Sequence, residues 1–353
     1  MLNQPPDCEE QAEPDCHADR PCHVVAGGYI SRDKGQRGQD AFDRAPGAAD
    51  QGLQRMLLRL THGLRVAAQA QNFPDEPSAH LAEYGVEVTA NVSDLAAQWS
   101  TDLASWAIPN EILSQVTTPP WVHPVAMFTV EETIPDSISH KVARLVVPAG
   151  GTVLDVGSGG GRAAFALVPP AGTVIAVDHQ QGMLDEFAKA AAQREVRHEE
   201  FLGDWPVVAG EVPKADVVVC HHVAFNVAEI VPFLEALNSH AHQRVVLEIP
   251  FQHPLTHLNP LWKTFWDLDR PTLPTAEDLC AIARAMGFDA RMEIWLDATW
   301  GKRVALPKEE RIKFARIRLC LSEDRDAEVA AALIQLGDDQ PRRVATIWWD
   351  VSA

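Results

Sequence analysis

The chain has 353 residues, 46% of them hydrophobic and 22% charged, which is enough for a full catalytic domain and a smaller accessory region. A formal net charge of −19 works against contact with nucleic acid, where clustered Lys and Arg must replace counterions, so a small-molecule or protein partner is favoured. No stretch reaches the roughly 20 consecutive apolar residues of a membrane span, and Met1 to Asp19 is polar and acidic. A cytoplasmic protein with no membrane partner is expected, its oligomeric state left open.

Residues 1–50 carry ten acids against five bases with almost no periodic apolar pattern, so 1–52 is read as a disordered extension. Cys8, Cys16-His17 and Cys22-His23 are of zinc-ligand type, but their spacing fits no familiar finger and no metal is expected. Cys220, Cys280 and Cys320 sit inside apolar segments, as free buried thiols do. From Leu53 to Ala70 apolar residues recur at helical spacing until Asn72-Phe73-Pro74-Asp75 stops them. A second helical run spans Val92 to Trp106. The loop Thr117 to Pro124 then separates it from a helix ending near Val147, so 53–147 reads as a helical cap region.

After Pro148, short β-branched runs alternate with helical ones, the pattern of a mainly parallel sheet with helices on both faces. Seven strands are expected at Thr152–Val156, Thr173–Val177, Val196–Phe201, Asp216–Cys220, Arg244–Ile249, Ala290–Leu296 and Val344–Trp349. Met183–Gln193, Val227–Ser239 and Ala276–Met286 read as amphipathic helices, the last closed by Gly287. The segment 254–274, rich in Leu, Trp and Phe between prolines, is too long for a bare connection. It is read either as a partly helical lid over an acceptor pocket or as a satellite apolar cluster. Trp295, Trp300, Trp348 and Trp349 read as packing for the last two strands or as substrate contacts.

Strand, glycine-rich turn and helix start follow directly in Val153-Leu154-Asp155-Val156-Gly157-Ser158-Gly159-Gly160-Gly161-Arg162. Glycines let the backbone turn tightly and lie against a ligand with no Cβ in the way. An acid two residues before the first glycine, in the spacing Asp-x-Gly-x-Gly-x-Gly, distinguishes this loop from a nicotinamide-binding one. Here the sequence resembles the class I S-adenosylmethionine-dependent methyltransferases, over about residues 140–353 and most strongly over 152–178. The resemblance implies a Rossmann-like methyltransferase domain at 148–353 and S-adenosyl-L-methionine as cofactor. It implies that Asp155 helps hold the methionine part beside Gly157, Ser158, Gly159 and Gly161. Asp178, 23 residues beyond Asp155 at the end of the second strand, is suited to accept hydrogen bonds from ribose hydroxyls, with His179 beside it. Asp204, in Gly203-Asp204-Trp205-Pro206 after the third strand, falls where the resemblance puts an acid at the adenine amino group. Trp205 either covers the adenine face or packs. As a whole the stretch resembles a small-molecule branch of actinobacterial type.

The residues after the fourth and fifth strands should line the acceptor side. They read Cys220-His221-His222-Val223-Ala224-Phe225-Asn226 and Glu248-Ile249-Pro250-Phe251-Gln252-His253-Pro254. His221 or His222 is the candidate general base, with His253, His257 and His123 weaker. Neighbouring histidines, expected to point different ways, would leave one at the cofactor and the other capping the strand. The histidines near Glu248 show no recognised metal-ligand pattern. No Asn/Asp-Pro-Pro-aromatic motif of amino-methylating nucleic-acid enzymes follows the fourth strand. The reaction expected is methyl transfer to an O, N or C atom of a small-molecule acceptor, apolar to judge from the Trp, Phe and Leu content near the site. Trp121-Val122-His123-Pro124 lies where the resembling family often closes its site. A non-catalytic S-adenosylmethionine-binding protein and an NAD-dependent oxidoreductase are the alternatives.

Overall fold

The computed structural model describes residues 91–116, 118–121, 130, 134, 136–297, 307–337 and 341–351. The expected extension 1–52, the helix at Leu53–Ala70, the three N-terminal cysteines, His123 and Trp300 lie outside the described residues. Three helices come first: α1 (Val92–Ala104), α2 (Asn110–Leu113) and α3 (Ile138–Arg144). The alternating part follows as β1 (Thr152–Val156), α4 (Arg162–Phe165), β2 (Thr173–Asp178), α5 (Gln181–Gln193), β3 (Arg197–Leu202), β4 (Ala215–His221), α6 (Ile230–His240) and β5 (Ala241–Pro250). The chain ends with α7 (Asn259–Trp266), α8 (Ala276–Ala285), β6 (Arg291–Asp297), α9 (Lys308–Arg318), α10 (Asp326–Leu336) and β7 (Arg342–Asp350).

All seven expected strands are present, and they form one sheet in the order β3-β2-β1-β4-β5-β7-β6. The first five pair in parallel, while β7 runs antiparallel to both β5 and β6. This is the Rossmann-like fold of the class I methyltransferases. The β-branched runs form the central strands because they are buried on both faces, where period-two polarity would leave charges without water. Local signals set the helix ends. The Asn91 side chain accepts the Ser93 N–H at 3.1 Å to start α1, and Thr275 and Asp278 form a reciprocal capping box at α8. Gly287, at φ +91°, takes the left-handed turn that closes α8.

Alternation along the strands divides the core in two. Leu154 and Val156 of β1, Val218 and Cys220 of β4, and Leu247 and Ile249 of β5 face a cluster shared with α1, α6 and α8. Val153, Val217, Val219 and Val246 face the other side, against α3, α4 and α5. A third cluster joins Ile112, Leu258, Leu261 and Trp262 to Leu319, Val329 and Leu333. Segment 254–274 is therefore partly helical, and its apolar residues form a satellite core with α9 and α10. Those two helices, inserted between β6 and β7, are absent from the sequence reading. On α9 the buried residues are Ala315, Arg316 and Arg318, so no apolar stripe marks the helix. Arg316 is held there by Asp326, with Nε 2.8 Å from Oδ1.

The tryptophans of the last strands serve packing. Trp349 donates its Nε1–H to Asn238 Oδ1 at 2.9 Å and stacks on Phe288, and Trp295 donates to Thr346 Oγ1 at 3.0 Å. Cys220, Cys280 and Cys320 are free and buried. Among the described residues no helix is long and apolar enough to cross a membrane.

Phe233 of α6 is 1% exposed whereas Leu145 is 81% exposed. Phe233→Ala is expected to lower unfolding free energy by about 3–5 kcal/mol, and Leu145→Ala to change it by no more than about 0.5 kcal/mol. Equilibrium denaturant unfolding of both variants measures the difference.

Candidate functional site

The strand order reverses between β1 and β4, which opens a crevice at their carboxyl ends. The loops Gly157–Gly161 after β1 and His222–Asn226 after β4 meet there. Gly157 stands at φ +70°, and a Cβ on it would come 2.3 Å from Val223 Cγ2, so only glycine admits this approach. The N–H groups of Gly157 and Ser158 both donate to the Val177 carbonyl, at 2.8 and 3.1 Å. Asp178 secures the next turn: its Oδ2 accepts the Gly159 N–H at 2.9 Å and its Oδ1 the Gln180 N–H at 2.9 Å. A carboxylate offers about four lone-pair positions, so these two bonds leave acceptor capacity at the crevice.

Asp155 lies behind the loop, 1% exposed, and its Oδ2 accepts the Ala164 N–H of α4 at 3.0 Å. Burial pushes its carboxyl up to about 8; the Ala164 N–H opposes the rise and the Asp178 charge adds to it. Burial, with Asp155 nearby, also raises the Cys220 thiol well above its ordinary value. The exposed His179 ring has Nδ1 3.7 Å from Asp178 Oδ1.

The turn after β3 is tied to the same point, since the Gly203 N–H donates to the Asp178 carbonyl at 2.9 Å. This brings the exposed Asp204 beside the loop. Trp205 turns onto α6, its Nε1 3.4 Å from the Phe233 carbonyl and its ring edge-on to His240. Gly157, Ser158, Gly159, Gly161, Asp178 and the Asp204 turn are therefore tied together by hydrogen bonds at the tips of β1 and β2, with Asp155 bonded to α4 behind the loop and Trp205 packed beside it.

Beyond β4 and β5 lies a second polar group. Registration places His221 opposite Glu248, Glu248 opposite Thr346 and Thr346 opposite Glu293, a polar row across an apolar sheet. His221 stacks on His140 of α3, ring centroids 5.4 Å apart. His222 adopts φ +63°, a left-handed conformation rare for a side chain with a Cβ. Its N–H donates to the Glu248 carbonyl at 2.6 Å, and its Nε2 lies 3.1 Å from Glu248 Oε1. The other carboxylate oxygen, Oε2, accepts the Ser137 hydroxyl at 2.8 Å. Burial disfavours the Glu248 charge, but His221, His222 and His140 outweigh it and hold the carboxyl well below its usual range. Both candidate histidines thus converge on one glutamate, where the sequence reading had them pointing apart. Ser137 and His140 were missed there, and Glu248 was weighed only as a metal neighbour. The signal available was a charge between Leu247 and Ile249 in a strand buried on both faces. Among the described residues no group of His, Cys, Asp and Glu is arranged to hold a metal ion.

His253 is a ring of another kind. It stacks on Trp106, centroids 3.9 Å apart, and lies edge-on to Phe225. Burial, helped by the Arg270 charge, lowers it to about 3, so it is neutral at physiological pH. Arg270 lies over Trp106 and Trp262, and Trp106 Nε1–H donates to the Leu273 carbonyl at 2.6 Å. These contacts fasten the end of α1 to segment 254–274. His257 is occupied locally, its Nδ1 2.8 Å from the Pro254 carbonyl. Of Trp121–Pro124 only Trp121 is described.

Residues 153–243 match the family model of a methyltransferase domain. No curated protein matches the chain in sequence. Among solved structures, an S-adenosylmethionine-dependent methyltransferase from Thiobacillus denitrificans in complex with S-adenosyl-L-homocysteine is 17% identical, with a TM-score of 0.44 over 65% of this chain and 99% of that one. One from Geobacter sulfurreducens, in complex with the same compound, is 18% identical, with a TM-score of 0.44 over 65% of this chain and 98% of that one. An actinobacterial affinity finds no support in these matches.

A carboxyl raised from 3.8 to about 8 keeps its proton in the folded chain where the unfolded chain has lost it. The folded state therefore binds more protons across that window, and the contribution of Asp155 to stability falls as pH rises from about 4 to about 8. Asp155→Asn, which retains an acceptor for Ala164, is expected to remove this fall. Melting temperatures of variant and wild type should diverge in favour of the variant as pH rises from 5 to about 8; parallel profiles would contradict the assignment.

Proposed function

From a chain that carries a class I S-adenosylmethionine-dependent methyltransferase domain, we infer an enzyme that transfers a methyl group to an O, N or C atom of a small, largely apolar acceptor. S-adenosyl-L-methionine is the cofactor of the domain. The residues at the crevice fit it, and one observation carries the assignment: the Asp178 carboxylate stands against the Gly159 N–H with acceptor capacity to spare. In this reading Gly157, Ser158, Gly159 and Gly161 form the bed of the cofactor. Asp155 lies under its methionine part, Asp178 takes the ribose hydroxyls with His179 at the rim, and Asp204 and Trp205 flank the adenine. Bound there, S-adenosylmethionine supplies a methyl group already activated on a sulfonium, and the side chains need only bind, align and exclude water.

The acceptor belongs beyond β4 and β5, with His221 and His222 as the candidate catalytic pair. An apolar acceptor is favoured by the aromatic rings of Trp106 and Phe225 and the neutral His253 next to those strand ends. We place the methyltransferase domain at 148–353, with 53–147 as cap region and 254–274 as a cover over the acceptor side. The net charge of −19 disfavours a nucleic acid in that role.

Titration calorimetry with S-adenosylmethionine, S-adenosylhomocysteine and NAD tests the reading. Binding of both sulfur compounds and not of NAD is expected. Asp178→Ala removes hydrogen bonds to a charged group, worth about 1.5–3 kcal/mol, and should weaken S-adenosylmethionine roughly 10- to 100-fold. Preference for NAD, or no binding of either sulfur compound, would overturn the function; wild-type affinity in Asp178→Ala would overturn the ribose assignment.

A further inference from the structure

Resting on the methyltransferase reading, we propose that Arg270 and His253 form a subsite for a carboxylate carried by the methyl acceptor. The first observation is a charge without a counter-ion. Arg270 is half-buried, burial works against its charge, and among the described residues no carboxylate pairs with it. The nearby acids Asp267 and Asp269 pair with Lys263 instead, at 2.9 and 3.0 Å. Buried cations are ordinarily paired, and in a chain of net charge −19 this one is an exception.

The guanidinium is nevertheless held in place. Its Nη1 donates to the Ala107 carbonyl at 3.0 Å and its Nη2 to the Trp106 carbonyl. It lies over the rings of Trp106 and Trp262, 5.5 and 5.0 Å from their centroids. Asn259 Nδ2 donates to the Arg270 and Pro271 carbonyls at 3.3 and 2.8 Å, which fixes the main chain there. Donors of the fork remain unused, and Nε is buried with no hydrogen-bond partner among the described residues.

Second, the groups beside this cation are donors as well. His253 Nδ1 accepts the Leu255 N–H at 3.3 Å; with the ring neutral, its proton is on Nε2. Thr256 follows one turn on, its main-chain N–H donating to the His253 carbonyl at 2.9 Å, and its hydroxyl is buried with no partner among the described residues. A guanidinium with an imidazole N–H and a hydroxyl beside it is complementary to an oxygen anion. One uncompensated positive charge matches one negative charge, and the planar fork matches the planar carboxylate.

Third, the subsite lies on the acceptor side. The His253 ring stacks on Trp106, centroids 3.9 Å apart, and stands edge-on to Phe225 at 5.5 Å. Phe225 belongs to the same loop as Val223, which meets Gly157 of the cofactor loop. Aromatic side chains therefore separate the subsite from the cofactor loop, so an acceptor spanning the two has an apolar body with its carboxylate remote from the reacting atom. The subsite binds and orients that body and takes no part in breaking the carbon–sulfur bond.

NMR titration of the full chain, saturated with S-adenosylhomocysteine, tests the proposal with benzoate and its neutral isostere benzamide as probes. Benzoate is expected to bind wild type at least about 10-fold more tightly than benzamide. Arg270→Gln should weaken benzoate roughly 10- to 100-fold and benzamide by no more than about 3-fold. His253→Phe, which keeps a ring against Trp106, should weaken benzoate about 2- to 10-fold. In 15N spectra the Arg270 Nε–H signal, identified by its loss in Arg270→Gln, should move with benzoate and not with benzamide. Equal affinity of wild type for the two probes would overturn the proposal even if Arg270→Gln failed to fold. Wild-type benzoate affinity in Arg270→Gln would also overturn it, and in His253→Phe would remove the histidine from the subsite. Failure to bind S-adenosylhomocysteine would instead strike the methyltransferase reading, and a benzoate preference that depends on Arg270 would survive it.

Discussion

The hydrogen bond from the Gly159 N–H to the Asp178 carboxylate joins the ends of two neighbouring strands and fixes the shape of everything around it. It is possible because β1 and β2 run parallel in a register that sets Val156 beside Val177, so that the loop leaving β1 passes over the tip of β2. Val177 takes the first two N–H groups of that loop, and Asp178 takes a third. The turn after β3 is drawn in through the Asp178 carbonyl. A loop already tied at these points loses little further entropy when it receives a ligand, which is the physical value of such pre-organisation.

The other half of the site depends on the alternation of side chains along the strands. Asp155, His221, Glu248 and Thr346 share the sheet face covered by α3 and α4, because each is an even number of residues from an apolar neighbour packed on that side. Ser137 caps α3 and also donates to Glu248, so the end of one helix holds the acid between the strands. Ser139 and Thr346 hydrogen-bond at 2.7 Å two residues further along the same helix. A polar row of this kind in an apolar core is costly unless its members satisfy one another, and the contacts of Glu248 show how it is met.

The strands and the cofactor loop were legible in the sequence because each is a local pattern: β-branched runs, spaced glycines and an acid at a fixed offset. The strand ends are moved by only a few residues, as at Ala241–Pro250 against an expected Arg244–Ile249. What was hidden depends on pairing across the chain. The meeting of His221 and His222 at Glu248 follows from the register of β4 on β5, and Ser137 joins them from 111 residues away. The two helices between β6 and β7 were hidden for a different reason. The buried face of α9 includes Arg316 and Arg318, whose long apolar stems are buried along the chain while periodicity registers only the charge, and α10 packs Val329 and Leu333 beside it. Segment 254–274 packs its apolar residues on those helices, a pairing across the chain that its own composition does not show.

The central claim is that the loop from Gly157 to Gly161 and the carboxylate of Asp178 together receive the cofactor. A crystal structure of the chain with S-adenosylhomocysteine tests it most directly. The ribose hydroxyls are expected within hydrogen-bonding distance of the Asp178 carboxylate, with the amino-acid end of the ligand over Gly157 and Gly159. A ligand bound away from that loop, or lying on it with Asp178 still engaged only by Gly159 and Gln180, would contradict the claim.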